Sequence, residues 1–405
     1  MEIAGVLQPV GRLAWQRGRA LFEYAPAFVA SGLSISPIRL PLEPRVFAAT
    51  PEPFEGLHGV FNDSLPDGWG RLLLDRRLAQ LRILPAALTP VDRLAYVGSR
   101  GLGALRYRPE YPSGRTRRAA IDLDRLAKEA RTVIDGDTAA VLVNLLDLGG
   151  SSGGARPKVL VGCSANKKRL IAGVDALPRG YSHWLVKFRS SADPPDVGAI
   201  EHAYSEMARA AGIDMTATHL FPAGKGPGYF GTERFDRRGN TRIHFHSACG
   251  LLHADHRLPS IGYETLLKAT RLLTRSQPEV ERMFRRMVFN VLAHNRDDHT
   301  KNHAFLLEED GHWHCSPAFD VSFSAGPGGE HALDVAGEGK QPGMAQIAIV
   351  GRATGVDASF IRTCVEQVKT AVARWPIFAS NSGVARASTR DIDARLNGPR
   401  RFRHR

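Results

Sequence analysis

The chain has 405 residues, 43% of them apolar, which is enough to bury a large core in two or three subdomains. No run of eighteen apolar residues occurs, and the N-terminus lacks the basic start and long apolar core of a signal peptide. We therefore expect a folded cytoplasmic protein and no membrane partner. The four cysteines are widely spaced without a C-x-x-C pair, which argues against a disulfide framework or a thiolate metal site.

The formal net charge is +13 at pH 7, and a field of this sign attracts polyanions such as ATP, tRNA or DNA. Seven arginines between Arg386 and Arg405 stand against Asp391 and Asp393, which gives this end a net charge of +5. An arginine-rich end that contains Asn-Gly-Pro is typical of a solvated tail. We predict disorder over residues 381–405.

In the first hundred residues, short apolar runs alternate with Gly and Pro, a pattern that predicts short β-strands. A helical patch follows at 68–81, where a Pro-Asp-Gly turn delivers Trp69, Leu72, Leu73 and Leu74 into a core. The polar, Pro-rich string PEYPSGRTRR at 109–118 reads as a linker, so we place the end of a β-rich N-terminal subdomain at residue 112.

Helical spacing at 123–133 and 139–148 then leads into the glycine-rich string LGGSSGGARPKVLV, which ends in a strand. Glycines let backbone N–H groups approach phosphate oxygens, but a Gly-Ser linker explains the same letters equally well. The string is neither a Walker A motif nor the kinase G-x-G-x-x-G.

The next strand, HWLVKF, presents Lys187 among apolar neighbours, either to reach nucleotide phosphates or to face solvent from an edge strand. Glu201 then opens a helix. It is either an acidic partner of Lys187 or a helix-start glutamate favoured by the helix dipole. The string YFGTERFDRRGN predicts a strand that ends in a turn.

Residues 281–320 carry the strongest chemical signal. The apolar positions Phe284, Met287, Val288, Val291 and Leu292 predict a well-anchored helix before the polar loop HNRDDHTKNH. A strand AFLL, a turn EEDG and the string CSPAFDVS follow.

Phosphoryl transfer needs a carboxylate to accept the proton of the attacking hydroxyl, and oxygen ligands for magnesium. Asp297, Asn302 and Asp320 have the types and the order of a kinase base and its two metal ligands. A solvated surface loop is the plain alternative. A zinc site at His294, His299 and His303 is less favoured, as is a metal site among the histidines at 244, 246, 253 and 256, because companion ligands are missing.

Six motifs, in order, resemble those of HipA-type serine/threonine kinases, the toxin half of bacterial toxin-antitoxin pairs. They are FNDSLPDGWGRLLLDRRL at 61–78, SSGGARPKVLV at 151–161, WLVKF at 184–188, ERFDR at 233–237, NRDDHTKN at 295–302 and the FDVS around Asp320. The resemblance covers nearly the whole chain. It implies an α+β, bilobal, protein-kinase-like fold with a β-rich N-terminal subdomain (1–112), an N-lobe-like region (113–245) and a mostly helical catalytic lobe (246–380).

The resemblance also implies roles for individual residues. In this family a serine of the glycine-rich loop is autophosphorylated, and the modified loop leaves the nucleotide pocket. The matching position is Ser151, although the sequence does not settle between it and Ser152. The backbone of Glu233 and Phe235 would form the hinge for adenine, with Asp236 at the rim of the pocket. The residues expected to contact ATP are Ser152, Gly153, Gly154, Ala155, Lys158, Lys187, Glu233, Phe235 and Asp236.

Asp297 would act as base, with Asn302 and Asp320 holding Mg²⁺. His299 would support the loop or touch a phosphate, and Lys301 would neutralise charge on the transferred group. The partners implied are a HipB-like helix-turn-helix antitoxin, DNA through that antitoxin, and a translation component such as an aminoacyl-tRNA synthetase. The alternatives are a small-molecule kinase and a weakly catalytic co-repressor subunit. The intact set of Asp297, Asn302 and Asp320 argues against the co-repressor alternative.

Overall fold

The structure is a computed structural model that describes residues 1–3, 6–111, 120–136, 142–149, 154–172 and 176–397. It divides into two compact units that interleave along the chain. Unit 1 comprises Met1–Asp193, Gly231–Ala254 and Ala304–Ser316, and unit 2 comprises Pro194–Phe230, Asp255–His303 and Pro317–Arg405. The sequence-based segments were consecutive, so they cut the chain differently from these units.

The strands of the described residues are, in chain order, β1 (Glu2–Ile3), β2 (Val6–Leu7), β3 (Gly11–Gln16), β4 (Arg19–Tyr24), β5 (Val46–Ala48), β6 (Lys158–Ser164), β7 (Leu170–Ile171), β8 (Tyr181–Lys187), β9 (Thr218–Phe221), β10 (Tyr229–Glu233), β11 (Arg237–Arg238), β12 (Thr241–Arg242), β13 (His244–Ser247), β14 (Ala304–Leu307) and β15 (Trp313–Cys315).

The α-helices of the same residues are α1 (Pro26–Val29), α2 (Gly59–Asn62), α3 (Gly68–Gln80), α4 (Pro90–Val97), α5 (Leu123–Ile134), α6 (Leu142–Gly149), α7 (Val197–Ala210), α8 (Ala248–Leu252), α9 (Tyr263–Thr274), α10 (Gln277–Leu292), α11 (Met344–Ala353), α12 (Ala358–Ala373), α13 (Trp375–Asn381) and α14 (Arg386–Leu396).

The predicted N-terminal strands form an antiparallel sheet in unit 1, with β4 between β3 and β5. Along β4, residues 20, 22 and 24 are buried and their neighbours are more exposed, because alternate side chains of a strand point to opposite faces. The ring of Phe22 contacts those of Tyr24 and Phe61, with centroids 4.7 and 5.0 Å apart. An aromatic core therefore joins this sheet to α2.

A second sheet of unit 1 follows the glycine-rich string. Strand β6 is buried along its whole length and pairs antiparallel with β8, in a register that places Lys158 opposite Lys187. Strand β8 also pairs with β10. Helix α6 packs against α3 and β6. Trp69, Leu73 and Leu74 of α3 are buried, as predicted, whereas Leu72, predicted to be buried with them, is only half-buried.

Unit 2 is mostly helical. Helix α10 packs against α9 and α12, and α7 packs against α12 and α13. The five apolar positions predicted to anchor α10 are all buried. Among the helices of the described residues, none combines the length and the apolar character that crossing a membrane would require.

Two expectations are wrong. Residues 386–396, predicted to be disordered, form α14, which buries Ile392 and Leu396. The remaining residues of that tail, from 398 onward, lie outside the described part of the chain. Helix α7 begins at Val197, so Glu201 lies one turn inside it and is buried, and the helix-start interpretation of Glu201 fails.

Candidate active site

The loop with Asp297, predicted to be catalytic, is anchored at the end of α10. After the helix, His294 takes a left-handed backbone conformation (φ +50°), and the Asn295 side chain donates to Asn290 Oδ1 at 2.9 Å. The Ser324 N–H donates to the His294 carbonyl at 3.0 Å, next to a parallel bridge between Asn295 and Ser324. The chain that follows Asp320 therefore runs beside the start of this loop.

Asp298, the second aspartate of the loop, is a buried structural centre. It accepts hydrogen bonds from the Tyr263 hydroxyl at 2.7 Å, from His331 Nδ1 at 2.9 Å and from the Ala332 N–H at 2.8 Å. Burial and the nearby Asp298 charge raise the pKa of Tyr263 well above its ordinary value, so the phenol stays protonated and can donate. Sequence reasoning gave Asp298 no role.

In contrast to the buried Asp298, the Asp297 side chain is 59% exposed to solvent. Its backbone carbonyl accepts a hydrogen bond from Asn302 Nδ2 at 2.7 Å. That bond engages the amide nitrogen, so Oδ1 is the Asn302 side-chain atom that could bind a metal ion. His299 Nε2 lies 3.7 Å from Asp297 Oδ1, close enough to support its carboxylate. Lys301 is half-buried in the short 3-10 turn Thr300–Asn302.

Asp320 lies in the same unit, after Ala318, whose N–H donates to the Asp214 carbonyl at 2.7 Å. The backbone of Asp320 has a φ of +54°, a conformation that costs a non-glycine residue about 1–3 kcal/mol. Strain of this kind is held only where the surroundings fix the residue. The half-buried Asp320 side chain thus stands on a constrained backbone.

Arg296 ties the glycine-rich segment 324–340 to the loop. Its guanidinium donates to the carbonyls of Gly329 at 2.7 Å and Lys340 at 2.9 Å. With the two bonds that Asp298 receives from His331 and Ala332, the middle and the C-terminal end of the segment are bonded to Arg296 and Asp298 of the loop.

The candidate nucleotide residues belong to unit 1. Ser151, Ser152 and Gly153 lie outside the described residues. Gly154 has a φ of +88°, and a side chain there would collide with Lys158 Nζ. Lys158 is buried and Lys187 is half-buried. As direct partners on adjacent strands they project from the same face of the sheet, which places two cations beside the end of the glycine-rich loop.

The hinge candidates Glu233 and Phe235 are half-buried at the end of β10. Asp236 differs from its predicted place at the rim of a pocket, because it is 1% exposed. It accepts bonds from Arg234 at 2.8 and 2.9 Å, from Arg237 at 2.7 Å and from the Gly103 N–H at 2.8 Å. Burial alone would raise the pKa of Asp236, but both guanidinium groups hold it well below its ordinary value. Its oxygens are used within the protein.

The two histidines of strand β13 form hydrogen bonds with residues near the N-terminus of the chain. His244 Nε2 contacts the Ile35 carbonyl at 2.9 Å, and His246 contacts Asp63 at 2.7 Å and Ser36 at 2.9 Å. In the part of the chain that the structure describes, no cluster of three or more His, Cys, Asp or Glu side chains is arranged to hold a metal ion. Asp320 and Asn302 both lie in unit 2, and both carry oxygen atoms of the kind that Mg²⁺ prefers.

Two family models match the chain. The HipA N-terminal domain matches residues 3–108, and the HipA-like C-terminal domain matches residues 150–375. The chain belongs to the HipA family.

The HipA-type structure is also similar to a solved one, HipA of Shewanella oneidensis MR-1 in a toxin-antitoxin complex with HipB and operator DNA. The TM-score is 0.68 at 16% identity, over 98% of this chain and 94% of that chain. At this identity the likeness shows the fold alone, and it confirms the predicted HipA-like α+β fold.

A second solved structure is the Helicobacter pylori proinflammatory kinase CtkA, with a TM-score of 0.37 and 12% identity over 58% of this chain and 93% of that one. That likeness is too weak to support a conclusion. None of the curated proteins matches the chain.

Proposed function

We propose that this HipA-family protein is a serine/threonine protein kinase that uses Mg²⁺ and ATP and acts as the toxin of a toxin-antitoxin pair. The observation that carries the proposal is the contrast between the two loop aspartates. Asp298 is fully bonded within the protein, whereas Asp297 is exposed on the anchored loop, with Asn302 bound to its backbone. An exposed carboxylate on a backbone that is anchored in this way suits a base that accepts the proton of a substrate hydroxyl.

Asn302 and Asp320 would hold the metal, which spreads the charge of the transferred phosphoryl group when it is bound. Lys158 and Lys187 would bind phosphates through their charge, and Ala155 through its backbone N–H group, because the Gly154 N–H already donates to Asp67. The backbone of Glu233 and Phe235 would contact adenine. Lys301 would offset negative charge near Asp297, and His299 would support the Asp297 carboxylate. Asp236 takes a structural role in this proposal.

The proposed partner is a helix-turn-helix antitoxin like the HipB of the Shewanella complex, which would bring the protein to operator DNA. The proposed substrate is a translation component such as an aminoacyl-tRNA synthetase. Autophosphorylation at Ser151 would introduce a charged phosphate beside the phosphates of ATP, and the repulsion would weaken nucleotide binding.

Incubation of the purified protein with magnesium and γ-labelled ATP, followed by mass-spectrometric mapping of phosphosites, tests the proposal. We expect label at Ser151 or Ser152 in the wild type and none in Asp297→Asn. The matched control is Asp310→Asn, which alters another exposed aspartate and should label normally. A wild type that starts unphosphorylated and takes up no label would contradict the proposal and favour a co-repressor subunit.

A further inference from the structure

The N-terminal signature and the end of the glycine-rich loop lie against each other in unit 1. The Asp67 carboxylate accepts a hydrogen bond from the Gly154 N–H. The Trp69 N–H donates to the Gly154 carbonyl at 3.0 Å, and the Trp69 indole donates to the Lys158 carbonyl at 3.1 Å. Residues 67–69 therefore hold both polar backbone groups of Gly154 and the first carbonyl of β6.

Asp67 occupies the N-cap position of α3, where an aspartate ordinarily accepts an N–H of its own helix. Here the side chain makes no such capping bond, and its carboxylate binds Gly154 instead. The Asp67 carboxylate therefore stabilises the end of the glycine-rich loop and does not cap α3.

Two glycines permit the close backbone contact. Gly68 has a φ of +43°, and a Cβ there would lie 2.6 Å from the Gly154 oxygen and 2.8 Å from the Ala155 Cα. A Cβ on Gly149, the last residue of α6, would collide with the Lys158 carbonyl and lie 3.2 Å from Trp69 Nε1. Larger residues would force the backbones apart. The signature thus contacts the chain on both sides of the loop, at the end of α6 and at the start of β6.

A second contact fixes the same end of the loop. Arg156 Nε lies 3.1 Å from Asp193 Oδ1. Asp193 in turn accepts bonds from the Ser190 N–H at 2.9 Å and the Ser190 hydroxyl at 2.7 Å. Residues 154–158 are therefore held by two separate segments, beside the ammonium group of Lys158.

We infer that Asp67 and Trp69 are positioning residues for the nucleotide site. By binding both polar backbone groups of Gly154, they hold the segment that carries the proposed phosphate ligands Ala155 and Lys158, although neither touches the reacting atoms. The inference rests on the proposed function. Because a backbone segment that is already ordered loses little entropy when a ligand binds, freeing residues 154–158 should weaken ATP binding and leave the transfer rate of bound ATP nearly unchanged.

The test compares Asp67→Ala with Asp67→Asn, which keeps an acceptor oxygen for Gly154. Asp92→Ala is the matched control, because Asp92 caps α4 in the same unit by accepting the Thr89 N–H at 2.9 Å. Amide hydrogen exchange of the peptide that contains residues 154–160 is measured without nucleotide. The dissociation constant of a fluorescent ATP analogue with magnesium is measured separately, as are kcat and the KM for ATP.

In Asp67→Ala we expect faster exchange at residues 154–158 and a dissociation constant raised about tenfold, with a matching rise in KM and little change in kcat. In Asp67→Asn the exchange rate and the dissociation constant should return most of the way to their wild-type values. In Asp92→Ala neither quantity should change. Wild-type exchange and affinity in Asp67→Ala would overturn the inference, and so would equal losses in Asp92→Ala.

If Asp67→Ala does not fold, Trp69→Phe gives the same comparison, since it removes the indole donor and keeps an aromatic ring in the core. Unchanged exchange in that variant would overturn the inference. A wild type that binds no nucleotide would contradict the proposed function. The exchange rates, measured without nucleotide, would still decide whether residues 67–69 hold the loop.

Discussion

Asp297 and Asp298 are adjacent in the sequence, yet their side chains lie in different environments. The Asp298 side chain is 0% exposed, whereas 59% of the Asp297 side chain is exposed. A buried carboxylate surrounded by donors stabilises the loop that carries it, because removing the charge leaves those donors unsatisfied. The exposed Asp297 carboxylate on the same loop is reached by solvent.

Replacing Asp298 with Asn should therefore lower stability. We expect a loss of about 1.5–3 kcal/mol in the free energy of unfolding, because Tyr263, His331 and the Ala332 N–H lose a charged acceptor. Urea unfolding of the variant beside wild type measures this. Glu366→Gln is the control, because its side chain is 70% exposed in a surface pair with Lys369 and should change stability by less than about 1 kcal/mol. Equal effects of the two substitutions would contradict the structural role of Asp298.

At the scale of elements, α14 shows how a basic end of the chain becomes ordered. The Ala385 N–H donates to Asp196 Oδ2 at 2.9 Å, and the Ser388 hydroxyl donates to Asp196 Oδ1 at 3.2 Å. The Trp375 indole donates to the Thr389 carbonyl at 3.1 Å. The apolar side chains Ile392 and Leu396 are buried one turn apart. This helix is thus held by other elements of unit 2.

Truncating Ile392 to Ala tests that docking. The side chain is 5% exposed, so we expect a loss of about 2–4 kcal/mol in the free energy of unfolding. Chemical denaturation measures the change, with Asp391→Ala on the exposed face of the same helix as control. A variant Ile392→Ala as stable as wild type would mean that α14 does not dock in solution.

These elements mark what sequence could and could not predict. The periodic apolar positions of α10 predicted its buried face and the start of the loop, because helical spacing is a local property. Helix α14 was missed because its first bonds come from Asp196, 189 positions earlier, and only two of its apolar residues are buried. The difference in burial between Asp297 and Asp298 could not be predicted from the sequence either, because the partners of Asp298 are distant along the chain. Tyr263 lies 35 positions before Asp298, and Ala332 lies 34 positions after it.

At the scale of the whole molecule, buried and half-buried histidines make stability depend on pH. In each case burial is the main cause that lowers the pKa to about 4. The residues are His58, His183, His244 and His253. Unfolded histidine has a pKa of about 6.5, so the unfolded state binds more protons between pH 6.5 and 4. Their contribution is fully present above about pH 6.5 and is lost as the pH falls toward 4.

His244 gives the clearest test, because its side chain is 2% exposed. Its contribution to the free energy of unfolding should fall by on the order of 2 kcal/mol between pH 7 and pH 5. Urea unfolding at pH 7, 6 and 5 should show the wild type losing stability steadily. His244→Asn should remove about 2 kcal/mol of the loss at pH 5 and leave the part that comes from the other histidines, whereas His312→Asn, at an exposed position, should leave the pH dependence unchanged. A pH dependence that is identical in wild type and His244→Asn would exclude a neutral buried His244.

The central claim is that Asp297 performs the chemistry of a kinase while other residues bind the nucleotide. The most direct measurement is the initial rate of phosphoryl transfer from Mg-ATP in wild type and Asp297→Asn, with the nucleotide dissociation constant of each measured in parallel. We predict a rate at least about 100-fold lower in Asp297→Asn at an unchanged dissociation constant, because a general base acts on the transfer step. Transfer by Asp297→Asn at the wild-type rate would contradict the claim.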